Sequence, residues 1–443
     1  MAIGESMMST VQSLWRETVQ LPGFEALHAD LRTDVLIIGG GLAGILCAHM
    51  LQKTGVDYAL VEAKNTCGGI TENTTAKITV QHGLIYGKLI KTLGLERARM
   101  YLQANLQALN TYRELCAGTD CDFKAKDNFV YSRYDRTMLE RELSALHMLG
   151  VPARMTDDLP LPVETVGAVC VPDQAQFNPL KFVSAIAKDL HIYENTPVLE
   201  LAPGFARTPH GNIHAKKIIV ATHFPLLNKH GSYFIKLYQH RSYVLALENA
   251  ADVQGMYVDE ADKGMSFRNY ENILLLGGGG HRTGKRSDGW RELHDFARIH
   301  YPQARAICQW ATQDCMTLDG IPYIGQYSRR TPDLYVLTGF NKWGMTNAMV
   351  GAMLLKGMIL DKTPDWAEVF SPSRSVLHKQ LFINGAESAL NLITPTVPRC
   401  PHMGCALKYN PQEHSWDCPC HGSRFTKDGK LIDNPATGGL KEK

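Results

Sequence analysis

Four residues near the C-terminus have side chains that bind metal ions, and they occur as two short groups. Cys400 and His402 are separated by one residue, and Cys418 and His421 by two residues. Thiolate sulfur and imidazole nitrogen are ligands for zinc and for iron. Two thiolates and two imidazoles complete one four-ligand set, so this segment predicts a metal centre at the end of the chain.

The pattern resembles the cluster motif of Rieske [2Fe–2S] proteins, in which two thiolates bind one iron and two imidazoles bind the other. The alternation of cysteine and histidine within each group is compatible with that division. The resemblance implies that Cys400 and Cys418 bind the inner iron. It implies in the same way that His402 and His421 bind the outer iron.

Residues next to these ligands add detail to the Rieske resemblance. Cys405 and Cys420 match the extra cysteines that join the two loops by a disulfide in many Rieske proteins. Ser423 matches a serine that donates to the cluster, whereas Phe425 stands where high-potential members have a tyrosine donor. The main alternative is a structural zinc site. Zinc-finger histidines, however, usually lie three to five residues apart on one helix and are not interleaved with cysteines.

A glycine-rich turn near the N-terminus follows an apolar run, residues 34–38, and precedes a predicted helix, residues 45–53. A second predicted strand, residues 58–61, ends at an acid. This order is typical of dinucleotide-binding folds, where glycines let the backbone approach a pyrophosphate and the acid binds ribose hydroxyls. The predicted nucleotide-binding residues are Gly39, Gly41, Gly44 and Glu62. The fingerprint alone does not distinguish NAD from FAD.

The later part of the chain favours FAD. Residues 333–339 read as a strand that ends in a glycine, and a turn then leads into the apolar helix of residues 347–360. With residues 319–325, this segment resembles the closing part of the glycine oxidase and D-amino-acid oxidase superfamily. The resemblance, over residues 30–365, implies that the turn surrounds the flavin and that the helix N-terminus stabilises reduced flavin. The implied flavin contacts are Gly339, Trp343, Gly344, Met345 and Thr346.

Two further segments match a subgroup of that superfamily. One lies within residues 68–83 and the other is the glycine-rich run at residues 277–284. In relatives the first segment lies beside the flavin ring and the second returns a strand to the cofactor. By this resemblance Thr75 and Lys77 are predicted cofactor contacts.

The middle of the chain carries the candidate substrate contacts. Residues 236–247 alternate and then run apolar, which predicts a strand. The superfamily places its substrate-binding sheet here, so His240, Tyr243 and Arg268 are candidates for catalytic contact with the substrate. FAD is predicted to bind non-covalently, because Cys315 does not match the cysteine spacing of covalently linked relatives.

These motifs predict an α/β FAD-binding domain of Rossmann-like, glutathione-reductase type, an antiparallel-sheet substrate domain and a small C-terminal Rieske β subdomain. The predicted regions are an N-terminal extension (1–30), the oxidoreductase (31–365), a linker (366–393) and the cluster subdomain (394–443). Within the oxidoreductase, the FAD-binding parts are residues 31–80, 150–225 and 315–365, and the substrate-domain parts are residues 81–149 and 226–314. The linker is short for the β-sheet base of a complete Rieske domain. We therefore expect a shortened subdomain that either docks on the flavin domain or holds its cluster weakly.

Bulk properties exclude several other classes of protein. The formal net charge of +2 and the lack of a basic tract argue against nucleic-acid binding. The N-terminal residues lack the basic start and apolar run of a secretory signal. The apolar stretch at residues 348–360 is interrupted by Gly351, Lys356 and Gly357, so no transmembrane segment is predicted. A cytoplasmic location is therefore expected.

The two predicted centres together resemble a bacterial family of FAD-dependent oxidoreductases with a C-terminal Rieske domain. The expected reaction is oxidation of an amine or amino acid C–N bond, with electrons leaving one at a time through the cluster to an external acceptor. Two alternatives remain open at this point. In the first, the cluster feeds electrons to the flavin for a reduction or hydroxylation. In the second, the chain is a non-catalytic electron carrier or redox sensor.

Overall fold

The structure is a computed structural model that describes residues 10–226, 230–375, 379–395 and 398–440. Over these residues the helices are α1 (Trp15–Thr18), α2 (Leu42–Gln52), α3 (Tyr86–Leu93), α4 (Leu95–Cys116), α5 (Arg136–Met148), α6 (Pro179–Ala187), α7 (Tyr233–Lys236), α8 (Trp290–His300), α9 (Gly344–Ile359), α10 (Ala367–Phe370) and α11 (Lys379–Ile393). The strands are β1 (Thr10–Val11), β2 (Leu31–Ile38), β3 (Tyr58–Val61), β4 (Lys77–Ile78), β5 (Lys124–Ser132), β6 (Arg154–Thr156), β7 (Gly167–Gln176), β8 (Ile192–Tyr193), β9 (Glu200–Ala202), β10 (Phe205–Arg207), β11 (Asn212–Val220), β12 (Leu237–Glu248), β13 (Met256–Asp259), β14 (Ser266–Tyr270), β15 (Ile273–Arg282), β16 (Arg305–Thr317), β17 (Tyr323–Gln326), β18 (Leu334–Thr338), β19 (Lys408–Asn410), β20 (Ser415–Asp417), β21 (Arg424–Thr426) and β22 (Leu431–Asp433).

The sheet that carries the glycine-rich turn has the strand order β17-β18-β11-β2-β3-β8, and β10 and β9 extend it beside β11. β18, β11, β2, β3 and β8 run parallel, so their carboxyl ends meet at one edge. Residues 35–38 are buried on both faces, as expected for a central parallel strand. This sheet confirms the predicted Rossmann-like FAD-binding fold.

Two helices of this domain begin earlier than the sequence pattern predicts. The helix predicted from residue 45 begins at Leu42, because the carbonyl of Gly41 already accepts a hydrogen bond from the Ile45 N–H at 3.0 Å. The helix predicted from residue 347 begins at Gly344. Both first turns contain a glycine, and glycine weakens a sequence-based helix prediction. The earlier starts place both helix N-termini closer to the carboxyl edge of the sheet.

A second, mainly antiparallel sheet of ten strands follows the order β1-β16-β12-β15-β14-β13-β5-β7-β4, with β6 beside β7. Neighbouring residues of β12 point to opposite faces of this sheet. Tyr243 and Leu245 pack with Trp290 of α8 on one face. Val244 and Ala246 pack against the core shared with the FAD-binding sheet. The face of the sheet that carries Val244 and Ala246 therefore packs against the FAD-binding domain, which is where the substrate sheet was predicted to lie.

The C-terminal sheet is an antiparallel meander of four strands, β19-β20-β21-β22. One cysteine–histidine group lies in the loop before β19, and the other lies in the connection between β20 and β21. This small sheet confirms the predicted β subdomain. α11 lies in the segment predicted as a linker and is longer than the short helix expected near residues 384–392.

In the parts of the chain that the structure describes, each helix is too short or too polar to cross a lipid bilayer.

Candidate functional site

The glycine-rich turn brings strand β2 and helix α2 into close contact at the carboxyl edge of the sheet. A Cβ atom on Gly44 would collide with the carbonyl oxygen of Gly39, so a side chain there is excluded. A Cβ atom on Gly41 would meet only the hydroxyl of Thr71, at 3.4 Å, and would otherwise face a cavity. Gly44 thus serves helix packing, whereas the bare backbone of Gly41 remains open to a ligand.

Glu62 lies at the end of β3 and borders the same cavity. Its carboxylate accepts hydrogen bonds from the backbone N–H groups of Gly40, at 2.7 Å, and Lys64, at 2.9 Å. These bonds fix the side chain beside the turn. The predicted contact of Glu62 with a ribose stays a prediction, and its position next to Gly40 is compatible with it.

The cavity has a volume of about 840 Å³, which is in the range of small-molecule and cofactor sites. It extends from the glycine-rich turn to the turn before α9 and then to the second sheet. Predicted cofactor residues that line it are Gly39, Gly41, Glu62, Thr75, Lys77, Gly339, Trp343, Gly344 and Met345. The donor-rich turns that line the cavity and its volume fit FAD.

Thr346 differs from its neighbours in the closing turn. Its hydroxyl donates to the carbonyl of Thr79 at 2.9 Å and accepts from the Thr79 N–H at 3.2 Å. The side chain is buried and is not among the residues that line the cavity. In this structure Thr346 joins α9 to the segment after β4 and does not reach the cofactor space.

The turn before α9 has an unusual backbone. Asn341 and Lys342 have φ angles of 52° and 71°, in the left-handed region that few non-glycine residues adopt. The ring of Trp343 stacks on His82 with centroids 5.1 Å apart. This packing holds the turn, so that the N-terminus of α9, at Gly344, points into the cavity.

Two buried cations lie beside the cavity. Arg268 donates to the carbonyls of Thr75 and Ala76, at 2.7 and 2.8 Å, and thereby positions the loop that leads to Lys77. Burial, followed by the charge of nearby Arg268, lowers the pKa of Lys77 to about 7. Burial also lowers the pKa of Arg268 to about 9. Lys77 borders the cavity, whereas Arg268 acts one layer behind it.

His240 and Tyr243 lie on opposite faces of the second sheet. The hydroxyl of Tyr243 donates to Glu413 of the C-terminal subdomain at 3.0 Å, and its ring packs against Trp290 and His281. Tyr243 therefore contacts the subdomain, although part of it borders the cavity. His240 is buried, and burial, followed by the charge of Lys342, lowers its pKa to about 3, so the imidazole is neutral.

Asp314 and Lys342 are among the charged residues of the cavity wall that sequence reasoning missed. Asp314 of β16 lies directly opposite His240 of β12, and Lys342 lies in the turn before α9. Asp314 belongs to no recognisable motif, and it becomes a neighbour of His240 only through the pairing of β12 with β16. The only sequence signal was the position of Lys342 inside the closing turn.

The Rieske-type loops place two thiols face to face. The thiol of Cys400 contacts that of Cys418, the hydroxyl of Ser423 and the backbone N–H groups of His402 and Met403. The contact with Cys418 lowers the pKa of Cys400 to about 7, against the opposing effect of burial. Iron ligands must be thiolates, so this environment suits a ligand.

The two histidines of the loops lie next to each other, with ring centroids 5.0 Å apart and ring planes at 89°. The rings of Phe224 and Phe234, from the larger part of the chain, approach the His421 ring at 6.4 and 6.3 Å. Burial, followed by the charges of His402 and Arg282, lowers the pKa of His421 to about 3. Its Nδ1 has no hydrogen-bond partner among the described residues. A buried, neutral imidazole with an unpartnered nitrogen suits a metal ligand.

Cys405 and Cys420 form a disulfide that joins the two loops, with Cα atoms 6.7 Å apart. The sulfurs of Cys405, Cys418 and Cys420 lie within 4.8 Å of one another. Because Cys405 and Cys420 are bonded to each other, Cys418 is the member of this group with a free thiol. The arrangement fits a two-iron cluster on Cys400, Cys418, His402 and His421, while the ligand roles themselves stay predictions.

A buried charge network fixes the C-terminal subdomain to the second sheet. The guanidinium of Arg241 pairs with Glu413, with Nε and Oε1 separated by 3.1 Å. Arg424 bonds the same carboxylate at 2.7 Å and also reaches Asp417 and Asp433, both at 3.0 Å. Arg241 is 3% exposed and Glu413 10% exposed, so the network is shielded from water.

Close backbone contacts supplement this network. A Cβ atom on Gly284 would lie 2.7 Å from Cα of Pro419, and one on Gly422 would collide with Gln239. Arg282 donates to the carbonyl of Pro419 at 3.2 Å. Asn434 donates to the carbonyl of Thr222 at 2.6 Å. Thus the subdomain docks on the larger domain, the first of the two expectations for a shortened Rieske domain.

Acid denaturation should release all FAD from the protein. Cys315 is buried, burial raises the pKa of its thiol to about 12, and it is not among the residues that line the cavity. Cys67 does border the cavity, but its thiol donates to the carbonyl of Gly40 and burial raises its pKa. Precipitation with acid should leave a colourless pellet and a yellow supernatant. A pellet that stays yellow would contradict non-covalent binding.

The cluster should respond to substitutions at Ser423 and Phe425. Ser423 is fully buried with its hydroxyl at Cys400, whereas Phe425 packs with the cluster cysteines and has no donor. A hydrogen bond to sulfur stabilises the reduced cluster by roughly 1 kcal/mol, which corresponds to tens of millivolts. Redox titration should show that Phe425→Tyr raises the potential and Ser423→Ala lowers it. An unchanged potential in Phe425→Tyr, with a shift in Ser423→Ala, would mean that ring 425 does not point at the thiolate.

Comparison with known protein families gives two matches within the chain. The model of the DAO family, FAD dependent oxidoreductase, matches residues 34–358. The model of the Rieske [2Fe-2S] domain matches residues 374–442.

Individual relatives agree with these matches. YhfW of Bacillus subtilis (strain 168), which bears the name of a Rieske 2Fe-2S iron-sulfur protein, is 32% identical over 97% of each chain. Gamma-glutamylputrescine oxidoreductase of Escherichia coli (strain K12) is 21% identical over 76% of this chain and 85% of that protein. The crystal structure of glycine oxidase from Geobacillus kaustophilus superposes with a TM-score of 0.66, at 20% identity, and covers 79% of this chain and 100% of that one.

Proposed function

Because this chain belongs to the DAO family of FAD dependent oxidoreductases and carries a C-terminal Rieske [2Fe-2S] domain, we propose that it oxidises the C–N bond of an amine or amino acid. The electrons then leave one at a time through the cluster to an external acceptor. Bound FAD supplies two-electron chemistry at the substrate, and the cluster supplies one-electron transfer. The names of two relatives refer to glycine and to glutamylated putrescine, an amino acid and an amine.

The observation that carries the proposal is that one cavity borders both the predicted flavin-binding residues and the cluster subdomain. Lys77 and Trp343 line its flavin end, while Asp433 and Asn434 of the cluster subdomain line another part of it. The substrate space and the cluster subdomain therefore share a wall. A chain in which the two centres worked separately would not need this arrangement.

A short loop after β11 connects the cavity to the cluster histidines. Thr222 and His223 border the cavity, and the next residue, Phe224, has its ring 6.2 Å from the His402 ring and 6.4 Å from the His421 ring. Asn434 of the cluster subdomain donates to the carbonyls of Thr222 and Phe224, at 2.6 and 3.1 Å. This packed segment favours electron transfer within one chain.

The residues near the predicted flavin position support substrate oxidation. The N-terminus of α9 and the protonated form of Lys77 would stabilise the negative charge of a reduced flavin bound in this cavity. Because the His240 imidazole is neutral, it does not repel the charge of a substrate ammonium group. These residues orient the substrate and stabilise the product state, and the proposal needs no strong base beside the reacting carbon.

Anaerobic mixing of the holoprotein with amino acids and amines tests this proposal. We expect one class to bleach the flavin and then to reduce the cluster, seen at its own visible band and by electron paramagnetic resonance. Bleaching of the flavin without reduction of the cluster would contradict electron exit through the cluster. If the flavin is bleached only by a reduced carrier protein, the electron flow is reversed and the proposal fails.

A further inference from the structure

A segment that precedes the FAD-binding domain packs against the wall of the cofactor cavity. This N-terminal segment, residues 12–18, lies before the part of the chain that matches the DAO family. Trp15 is fully buried, although the helix that contains it has only four residues. Ser13 and Arg16 line the cavity. The N-terminal segment is therefore part of the cavity wall.

The loop before β4 is held by side chains that are distant in the sequence. Five consecutive backbone carbonyls of this loop, those of residues 72–76, each accept a hydrogen bond from such a side chain. Ser13 donates to the first carbonyl, and the indole of Trp15 donates to the third at 2.7 Å. Trp310 donates to the second at 3.0 Å, and Arg268 donates to the last two at 2.7 and 2.8 Å. Residues 72–76 form no helix or strand, so these bonds set the path of the loop.

Trp15 also covers the arginine that holds the end of this loop. Cζ of Arg268 lies 5.4 Å from the centroid of the Trp15 ring, and Tyr270 packs edge-on against the same ring at 4.9 Å. Arg268 is fully buried, and its Nε and Nη2 have no hydrogen-bond partner among the described residues. A cation over an aromatic ring is stabilised most when both groups are shielded from water. Loss of the Trp15 ring would therefore loosen Arg268 as well as the loop.

The loop ends at Lys77, whose side chain lines the cavity. Ala76, just before it, has a φ of 54°, in the left-handed region that few non-glycine residues adopt, so its conformation depends on the contacts around it. The Nζ of Lys77 donates to the hydroxyl of Thr75 at 3.1 Å. The backbone and the ammonium group of Lys77 are thus both positioned by the loop.

We infer that Trp15 is a positioning residue of the flavin site: through residues 72–76 and through Arg268, it holds the ammonium group of Lys77 toward the bound flavin. A fixed cation beside the flavin stabilises the negative charge of the reduced form and so raises the reduction potential. The N-terminal segment then helps to set that potential. This inference goes beyond the proposed function, because it holds whichever compound supplies the electrons.

The midpoint potential of the flavin in the holoprotein tests this inference. It is measured anaerobically against a reference dye at about pH 6, where Lys77, with a pKa of about 7, is mostly protonated. Lys77→Met should lower the equilibrium constant for two-electron reduction about 10- to 100-fold, as for the loss of a charged hydrogen-bond partner. This change corresponds to about 30 to 60 mV. Trp15→Leu should lower the same constant about tenfold.

A double-mutant cycle shows whether Trp15 acts through Lys77. Changes within one network do not add, so Trp15→Leu should lower the flavin potential of the wild type but not that of Lys77→Met. Trp15→Phe keeps a ring over Arg268 and removes only the indole hydrogen bond, so it should give a smaller shift than Trp15→Leu. The cluster potential, read in the same titration, should stay unchanged in each variant.

Trp366→Leu is the matched control for a purely structural effect. Trp366 is also buried, its indole donates one hydrogen bond, to Gln107 at 3.2 Å, and it does not line the cavity. We expect this variant to lose thermal stability, as Trp15→Leu does, but to keep the flavin potential of the wild type.

The outcomes decide between a positioning role and a structural one. The inference is wrong if Trp15→Leu binds FAD with the wild-type potential, or if it shifts the potential equally in the wild type and in Lys77→Met. If Trp15→Leu purifies without FAD, the comparison is made with Trp15→Phe, where an unchanged potential contradicts the inference. Failure of amines and amino acids to bleach the flavin would overturn the proposed function and leave these results intact.

Discussion

The Gly41→Val variant is expected to purify without FAD and with its iron–sulfur cluster in place. Gly41 faces the cavity with only the hydroxyl of Thr71, at 3.4 Å, near a hypothetical Cβ. A valine side chain would therefore fit the protein but fill the space that a pyrophosphate needs at the N-terminus of α2. The measurement is the ratio of FAD to protein and of iron to protein after purification. We expect the first ratio to fall close to zero and the second to stay near the wild-type value.

The control for this variant is Gly118→Val. Gly118 lies in the turn after α4, and its hypothetical Cβ has nothing within 4 Å. This variant carries the same added side chain and should retain both cofactors. Stoichiometric FAD in Gly41→Val would mean that the glycine-rich turn does not approach the cofactor. Loss of iron together with FAD would mean that the cluster subdomain depends on the filled FAD site.

The second large effect is expected for Glu413→Gln, which removes the carboxylate shared by Arg241 and Arg424. Arg241 is 3% exposed, and among the described residues its remaining ion pair would be the one with Asp433, at 3.9 Å. Removing one partner of a buried ion pair costs about 3–5 kcal/mol. We expect the cluster subdomain to detach from the second sheet, so that substrate still bleaches the flavin but cluster reduction slows at least tenfold. Anaerobic stopped-flow absorbance follows both events.

Glu387→Gln is the matched control for the charge network. Glu387 pairs with Lys285 at 2.8 Å, but Lys285 is 49% exposed, and exposed pairs contribute about 1 kcal/mol or less. This variant should reduce its cluster at the wild-type rate. If Glu413→Gln does the same, the network is not what holds the two centres together, and the glycine contacts at Gly284 and Gly422 carry the docking.

The sequence motifs located the two centres because each motif consists of residues close together in the chain. The glycine-rich turn, with β2, α2 and β3 around it, lies within one continuous segment, and its role follows from local geometry. The cysteine–histidine loops are equally local. The fold class and the two cofactors were therefore predictable, and the family matches confirm both.

The contacts between the centres were not predictable in this way. Arg241 and Glu413 are 172 residues apart in the sequence. The residues around a charged side chain on a strand do not indicate which distant residue it pairs with. Tyr243 was expected at the substrate, but a strand pattern alone does not say which face meets the cofactor, and its hydroxyl bonds Glu413. Asp314 was missed for the same reason, since only the β12–β16 register places it opposite His240.

The close contacts of Gly284 with Pro419 and of Gly422 with Gln239 have a consequence for the kinetics of electron transfer. Backbones in direct contact leave no room for a swinging or rotating cluster head, and the charge network around Glu413 holds the same surface. If electrons pass between the two centres as we propose, they tunnel across a fixed gap, and no diffusive search by a tethered domain precedes the transfer. The rate of that transfer is then governed by the gap and by the difference between the two redox potentials, and solvent viscosity does not enter.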